Sequence, residues 1–548
     1  MYVVSQYRRQ INQFICASTP GAFGAAWGFL AAGLAGLSAV FFFMGAPAMN
    51  GRAWDTAFFL DGGWRIASGQ IPHRDFYSCA GVFPYYVTWL GMKLTRPSVS
   101  AITYGNVIVM VGLGLSAMTV MRRRTSALYA VAISLFLALL AVAPRPLGDP
   151  YDYTDYAMLY NRYGEGFIGL LGAILFLRPS PGLGRRLGDW METVFAGALL
   201  TILLFCKVNY FLLGVGFFVL ACLLGRFTLG QALLCLLSAA VVFSVISLAT
   251  HIPAAAIWRD YQTVAAAPDR FRRLRSLAAH SVESVFYLPV LALLIWEMAI
   301  KPGERRPSPE ALWRPLVLMA SILGGALLLL TTNTQLNEMP LLAVAGLCGA
   351  EIIRRNTGGT QEDLFLVTTR NLGALALFAL LFVPTFVIDC KTVLFAARDA
   401  AKSKWVSTET LQSTALNDFH FVKNGTRFAE MREYMETLDE GIQLLRRHSD
   451  PRMRLTAWIF SDPFHFALGL TPAQGGLVGM ADTSVAEHSH PPMKQMLGDA
   501  THILVDDEDR ALMREAYGAE WNALHLEVVE HTQHFTLFEV PEDMRKKR

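Results

Sequence analysis

Trp54-Asp55-Thr56-Ala57-Phe58-Phe59-Leu60-Asp61-Gly62-Gly63-Trp64-Arg65-Ile66-Ala67-Ser68-Gly69-Gln70-Ile71-Pro72-His73-Arg74-Asp75-Phe76 follows the first long apolar run of the chain. Phe58, Phe59, Trp64 and Ile66 recur at helical spacing, so 55–67 reads as a short amphipathic helix. Gly69 is placed to stop it and Pro72 prevents its continuation. The reading puts Asp55 at the start of a helix lying along a membrane surface, where a carboxylate is costly unless paired or used. A lone interfacial Asp is commonly solvated or an N-cap. Asp55, Asp61 and Asp75 together with His73 and Arg74 in one short loop point instead to a binding site.

The membrane setting comes from composition. Of 548 residues 53% are hydrophobic and 17% charged, against about 25% charged in soluble domains. Residues 395–548 hold 17 Lys+Arg and 24 Asp+Glu, leaving 30 and 20 in residues 1–394. The first part is therefore apolar and cationic, and the second polar and acidic. This division excludes a disordered chain, a coiled coil and a purely soluble enzyme. The seven cysteines show no CxxC or Cys/His ligand spacing and mostly sit in apolar runs. Arg8 and Arg9 precede an apolar run too long for a signal-peptide core, so it reads as an uncleaved first span.

A crossing helix needs about 20 largely apolar residues. Eleven stretches qualify, at 24–46, 100–120, 126–144, 164–178, 191–206, 208–225, 231–250, 282–300, 313–332, 338–353 and 371–392. The short aromatic stretch 81–95 fits either a span or a surface helix. Positive charge decides between them. With 81–95 on the surface, Arg122, Arg123, Arg124, Arg178, Arg185, Arg186, Arg226, Lys301, Arg305, Arg306, Arg354 and Arg355 all fall on the same side as Arg8 and Arg9. The fold class is thus mainly α: a polytopic membrane module over 1–394 with outer loops 47–99, 145–163 and 251–281. Residues 395–548 form a small α/β domain outside the cytoplasmic membrane, and the N-terminus lies inside. In that domain helical sequence spans about 406–447, and strands are expected at Leu455–Phe460, His502–Val505, His525–Val529 and Phe535–Val540.

The other outer loops carry further candidates. Asp149, Asp152 and Asp155 recur every three positions among tyrosines, followed by Tyr156 and Asn161. Tyrosine faces stack on sugar rings and carboxylates accept hydroxyl hydrogen bonds. An aromatic membrane belt would explain the tyrosines without the acids. Asp155, nearest the following span, is the candidate second acid, with Asp152 close behind. Lys207 and Asn209 interrupt two apolar runs at an outer turn, as a snorkelling helix end or as an anion site. Arg259, Tyr261, Arg270 and Arg273 belong to a basic outer loop that breaks the sidedness rule. That loop is either a tolerated exception or a grip on an anionic ligand. Glu487-His488-Ser489-His490 lacks a third metal ligand at clear spacing and reads as a solvated loop.

The early Asp55, the surface helix, Gly69-Gln70-Ile71-Pro72-His73-Arg74-Asp75-Phe76 and the Pro/Tyr-rich entry to the next membrane segment resemble the GT-C glycosyltransferases. The branch resembled is the bacterial one related to protein O-mannosyltransferases and the aminoarabinose transferase. At residue level the resemblance covers mainly 54–90; in layout it covers the whole chain. It implies inverting transfer of a sugar from a polyprenyl-phosphate carrier to an acceptor hydroxyl on a glycan, lipid or protein of the cell envelope. Asp55 would be the general base, and outer-loop Lys and Arg would hold the carrier phosphate. The chain departs from the aminoarabinose transferase at Gly81-Val82-Phe83-Pro84, where that enzyme has Lys-Pro-Pro. No cofactor is required by this reading, although acids from two loops could hold a divalent metal.

Two other function classes compete. A transporter or flippase would show internal repeats and interrupted helices with midplane charge; no repeat stands out and the acids cluster at the surface. A non-catalytic envelope protein of the same architecture would keep the layout without the base. Nucleic-acid binding is excluded, because the basic residues track membrane sidedness.

Overall fold

The first apolar run forms α1 (Pro20–Met44), about 38 Å of helix against a hydrocarbon core of about 30 Å. The computed structural model describes residues 20–179, 185–266, 270–300, 306–332, 338–356, 364–402 and 408–545, except 411–412, 414, 424, 426, 451 and 481–488. After α1 the segment expected as the first outer loop holds α2 (Ala53–Ala67), β1 (Tyr77–Ser78) and α3 (Phe83–Leu94). Then come α4 (Ser100–Met121), α5 (Ala127–Val142), α6 (Leu159–Phe176), α7 (Arg185–Cys206), α8 (Val208–Leu223) and α9 (Leu229–Thr250). The basic loop forms α10 (Ala254–Ala266) and α11 (Arg270–Glu283), before α12 (Tyr287–Ala299), α13 (Pro309–Thr332), α14 (Leu341–Asn356) and α15 (Leu364–Lys402).

All eleven apolar stretches fall on helices. Seven helical stretches among the described residues are long and apolar enough to cross a membrane, and α5 and α8 are shorter apolar helices. The chain is a multi-pass helical membrane protein. α9 presents Leu233, Leu236, Leu237, Val241, Val245 and Leu248 outward, as a lipid-facing helix must. α6 lies at the centre of the bundle, every residue but Tyr160 buried. The stretch 81–95 yields only the twelve residues of α3, about 18 Å, too short to span. One expected boundary moves: α11 passes through a single 3-10 turn (Ser284–Phe286) into α12. The apolar helix therefore begins at Arg275, inside the predicted outer loop.

The helix expected at 55–67 is α2, and Gly69 ends it at φ +85°, backbone that glycine adopts without strain. It is packed on two sides instead of lying open on a surface. On one side Gly62 faces Tyr85 of α3, where a Cβ would come within 2.3 Å of Cδ1. On the other, Trp64 Nε1 donates to the Leu470 carbonyl at 2.9 Å.

In the polar domain β2 (Thr408–Thr410) and β3 (His420–Val422) precede α16 (Phe428–His448). The helix expected from 406 thus starts at 428. Tertiary contacts override local preference here: Phe419 and Phe421 are buried, Met49 bridges Phe421, and Asp418 accepts from the Val99 and Ser100 amides at the head of α4 at 3.0 and 2.8 Å. β4 (Leu455–Trp458), α17 (Phe464–Leu468), β5 (Leu477–Val478), α18 (Met493–Leu497), β6 (His502–Asp506), α19 (Asp507–Asn522), β7 (Glu527–His531) and β8 (Phe535–Glu539) complete it. Its sheet runs β4-β6-β8-β7, parallel between β4 and β6 and antiparallel thereafter. The four strands expected from sequence are these four. A second sheet crosses the chain: β1 of the first outer loop pairs in parallel with β5, Tyr77 opposite Leu477. α15 runs unbroken past residue 394, so the expected domain boundary lies within a helix.

Candidate active site at the head of α2

The turn leading into α2 is tied to the second outer loop by backbone. The Asn50 amide donates to the Thr154 carbonyl at 2.8 Å, and Asn50 Nδ2 to the Asp152 carbonyl at 2.9 Å. Asp155 is buried, and its two oxygens accept the Arg52 amide at 3.1 Å and the Ala157 amide at 2.7 Å. Burial, with Asp55 adding to it, pushes the Asp155 carboxyl well above the usual range. Arg52 itself donates to Asp149 at 2.8 Å. The second loop therefore builds the socket from which the first turn of α2 projects.

Asp55 stands in that first turn, half-buried, with no side-chain hydrogen bond or ion pair among the described residues. Burial pushes its carboxyl up to about 7, while Arg52 pulls the other way. A helix N-terminus favours a carboxylate; desolvation outweighs that here. Tyr160, the one incompletely buried residue of α6, lies within electrostatic reach of Asp55 and edge-on to Phe59. Lys207, between α7 and α8, places Nζ 4.7 Å from the centre of the Tyr160 ring and donates to Asn161 Oδ1 at 3.3 Å. Burial lowers the Lys207 ammonium to about 7. Asn209 is half-buried in the next turn. Lys207 thus packs on Tyr160, whose hydroxyl is within electrostatic reach of Asp55.

The remaining predicted residues lie elsewhere. Asp61 is six residues beyond Asp55, a rise of about 9 Å and a rotation of about 240°. Its oxygens take Arg65 Nε at 2.9 and 3.1 Å. His465 Nδ1 lies 4.0 Å from Asp61 and contacts Asp462 closely, while its Nε2 donates to the Leu455 carbonyl at 2.8 Å. Burial raises Asp61 to about 6 despite Arg65. Burial acts in the same sense on Asp462, but His465 and Arg65 outweigh it and hold that carboxyl low. Asp61, Asp462 and His465 have the spacing of a metal triad. Arg65 already covers both oxygens of Asp61, so this donor set does not fit a divalent ion. The cluster is a charge-paired joint between α2 and the polar domain.

His73, at φ +63°, sets Nδ1 2.9 Å from Asp260 Oδ2. Arg259 pairs with Asp260 at 3.1 Å and donates to the His73 carbonyl at 2.8 Å. Tyr261 donates to the Leu204 carbonyl at 2.8 Å. Arg74 forks onto Asp75. His73, Arg259 and Asp260 fasten the first outer loop to α10, Tyr261 ties α10 to α7, and the Arg74–Asp75 pair stays within the loop. The Tyr156 hydroxyl is engaged with Thr103, and Asp152 is half-buried beside the socket. Arg270 and Arg273 lie in α11, but their side chains, like Glu487 and His488, fall outside the described residues.

Several residues of the region were missed from sequence. Trp54 and Tyr160 flank candidates that were identified, and adjacency was the available signal. Arg145, Arg162 and Asp389 form a buried network, Asp389 Oδ1 lying 2.9 Å from Arg145 and 3.0 Å from Arg162, with Glu338 2.8 Å from Arg145. Only the presence of Arg162 in an apolar helix hinted at it.

No protein-family profile matches the chain, and no curated protein sequence does. Among solved structures it is similar to ArnT from Cupriavidus metallidurans bound to undecaprenyl phosphate, at 12% identity and TM-score 0.41, over 95% of this chain and 99% of that one. The apo form of the same protein gives 13% and 0.43, over 96% and 100%. The archaeal oligosaccharyltransferase AglB from Archaeoglobus fulgidus, in complex with an inhibitory peptide and a dolichol-phosphate, gives 11% and 0.32, over 94% and 74%. Likeness this distant assigns neither activity nor substrate.

Proposed function

We propose that this protein is a membrane-embedded glycosyltransferase that moves a sugar from a polyprenyl-phosphate carrier to an acceptor hydroxyl at the outer face of the cytoplasmic membrane. The observation that carries this reading is Asp55: half-buried, without a hydrogen bond or ion pair among the described residues, and with its carboxyl pushed to about 7. A base with a pKa near the working pH is ionised often enough to accept a proton and basic enough to hold it.

The acceptor oxygen attacks the anomeric carbon from the face opposite the phosphate, with inversion. Its proton passes to Asp55. The bond between the anomeric carbon and the phosphate oxygen breaks, and the lipid phosphate leaves with the bonding electrons. Negative charge grows on that phosphate, so a cation near it stabilises the transition state. Lys207 is the cation for this role, since its neighbour Tyr160 also lies within electrostatic reach of Asp55. The binding of an anion would raise its lowered ammonium pKa and keep it charged. Asp155 serves as a positioning residue, since its oxygens hold backbone amides. The resemblance of residues 54–90 to GT-C enzymes supports the same reading, and the sidedness of the basic residues supports an outward polar domain.

Reconstituted protein, polyprenyl-phosphate-linked sugars and extracted envelope acceptors test the proposal. Asp55→Asn should lower kcat by roughly 100-fold or more in protein that stays folded. A folded Asp55→Asn variant with full transfer activity overturns it.

A further inference from the structure

A cavity of about 250 Å³ opens one residue away from Asp55, between Trp54 and the polar domain. Trp54 and Tyr434 of α16 form one wall, ring centres 5.9 Å apart and edge-on. The opposite wall is the carboxyl end of the parallel pair β4 and β6: Phe460 and Ser461 follow β4, Asp506 ends β6 and Asp509 lies in the first turn of α19. The Phe460 amide donates to Asp509 Oδ2 at 2.9 Å, which fixes that carboxylate at the rim. Ligands of open α/β sheets bind beyond the carboxyl ends of parallel strands. Among the described residues no Lys, Arg or His lines the cavity.

The chemistry of the lining is selective. Aromatic faces pack on the C–H faces of a sugar ring. Carboxylates and hydroxyls accept its O–H or N–H donors. With two acids and no lining cation, the cavity repels phosphate and carboxylate. Trp54 of the lining directly precedes Asp55 in the first turn of α2 and Tyr434 lies within electrostatic reach of Asp55, which puts the cavity on the side of the base, while the candidate phosphate cation Lys207 lies by Tyr160. We propose that the cavity is the acceptor subsite and that it takes an uncharged or amine-bearing sugar ring, excluding phosphorylated and uronic sugars. This rests on the reading of Asp55 as the base of a glycosyl transfer.

The test is saturation-transfer NMR on the full-length protein in nanodiscs, with methyl glucoside, methyl glucosaminide and glucose 6-phosphate as probes. Wild type should transfer saturation to the first two and not to the third. Trp54→Ala, and separately Thr437→Trp, which fills the cavity from the half-exposed face of α16, should reduce the signal at least fivefold. Asp55→Asn should keep it. Equal signal from glucose 6-phosphate overturns the inference, as does signal that survives both cavity variants. Failure of the transferase reading shows separately, because binding needs no catalysis: cavity-dependent binding without transfer from any polyprenyl-phosphate sugar sinks the activity and leaves a sugar site.

Discussion

The Arg52 amide donates to Asp155 Oδ2 across 103 residues of sequence, at 3.1 Å, and so a buried acid of the second outer loop holds the turn from which Asp55 projects. Burial pushes the Asp155 carboxyl well above the usual range, while both of its oxygens accept backbone amides, so an asparagine here keeps one acceptor and turns an NH2 donor toward the other amide. Asp155→Asn should therefore lose less stability and activity than Asp155→Ala, because it strands one amide and not two. Asp155→Ala strands two buried amides, and should lower stability by about 1–3 kcal/mol and kcat with it. Thermal unfolding and transfer rates of the pair check this. An inactive, stable Asp155→Asn would make Asp155 a proton-transfer group instead.

Asp55 predicts a pH profile. Its carboxyl is raised to about 7, and a base acts only when ionised, so kcat/KM should rise with pH up to about 7 and level above it. The stability sign is opposite. A carboxyl whose folded pKa exceeds its unfolded value favours folding below the unfolded pKa, and that contribution is lost as pH rises through about 7. Asp55→Asn should thus raise the melting temperature relative to wild type more at pH 8 than at pH 5. A rate already flat from pH 5 upward would count against Asp55 as the base.

Lys207 predicts a donor-side effect. Lys207→Met removes a buried cation and should raise KM for the polyprenyl-phosphate sugar by about 10-fold to 100-fold, the equivalent of one charged hydrogen bond. KM for the acceptor should stay near wild type. Titration with polyprenyl phosphate alone reads the same loss without turnover. Unchanged donor KM would remove Lys207 from the phosphate site.

The Asp61–Arg65 and His465–Asp462 pairs predict how the polar domain stays docked. Arg65→Met leaves Asp61 buried beside Asp462 without its guanidinium, a loss of about 3–5 kcal/mol. The joint between α2 and residues 462–475 should loosen, which limited proteolysis detects. Arg65→Met with Asp61→Leu removes both charges and should recover much of that loss. Equal fragility of the single and double variants would show that packing alone holds the joint.

The helices were readable because eleven apolar runs leave the chain no other way to satisfy its backbone in lipid. Asp55 was readable because a carboxylate at a membrane face attracts notice in any fold. The function of Asp155 was not, because its sequence is compatible with a side chain facing a cavity or facing amides, and Arg52 decides that from a distant loop. His73 and Arg259 were readable as a polar cluster; that they grip each other, through Asp260 and the His73 carbonyl, depends on how α10 docks. Residues 408–410 and 420–422 look helical by themselves and form strands where Met49 bridges Phe421 and Asp418 accepts from the amides at the head of α4. The cavity beside Trp54 belongs to no segment, since its two walls meet only after the polar domain closes on α2.

The pairing of β1 with β5 has a consequence for biogenesis. Tyr77 and Leu477 are 400 residues apart, which at about 5–20 residues per second separates their emergence by roughly 20–80 seconds. The loop bearing Asp55 waits through the insertion of every later helix before its partner strand exists. Activity should therefore appear only after the last part of the chain is made, and a nascent chain stalled short of β5 would be an inert precursor already anchored in the bilayer.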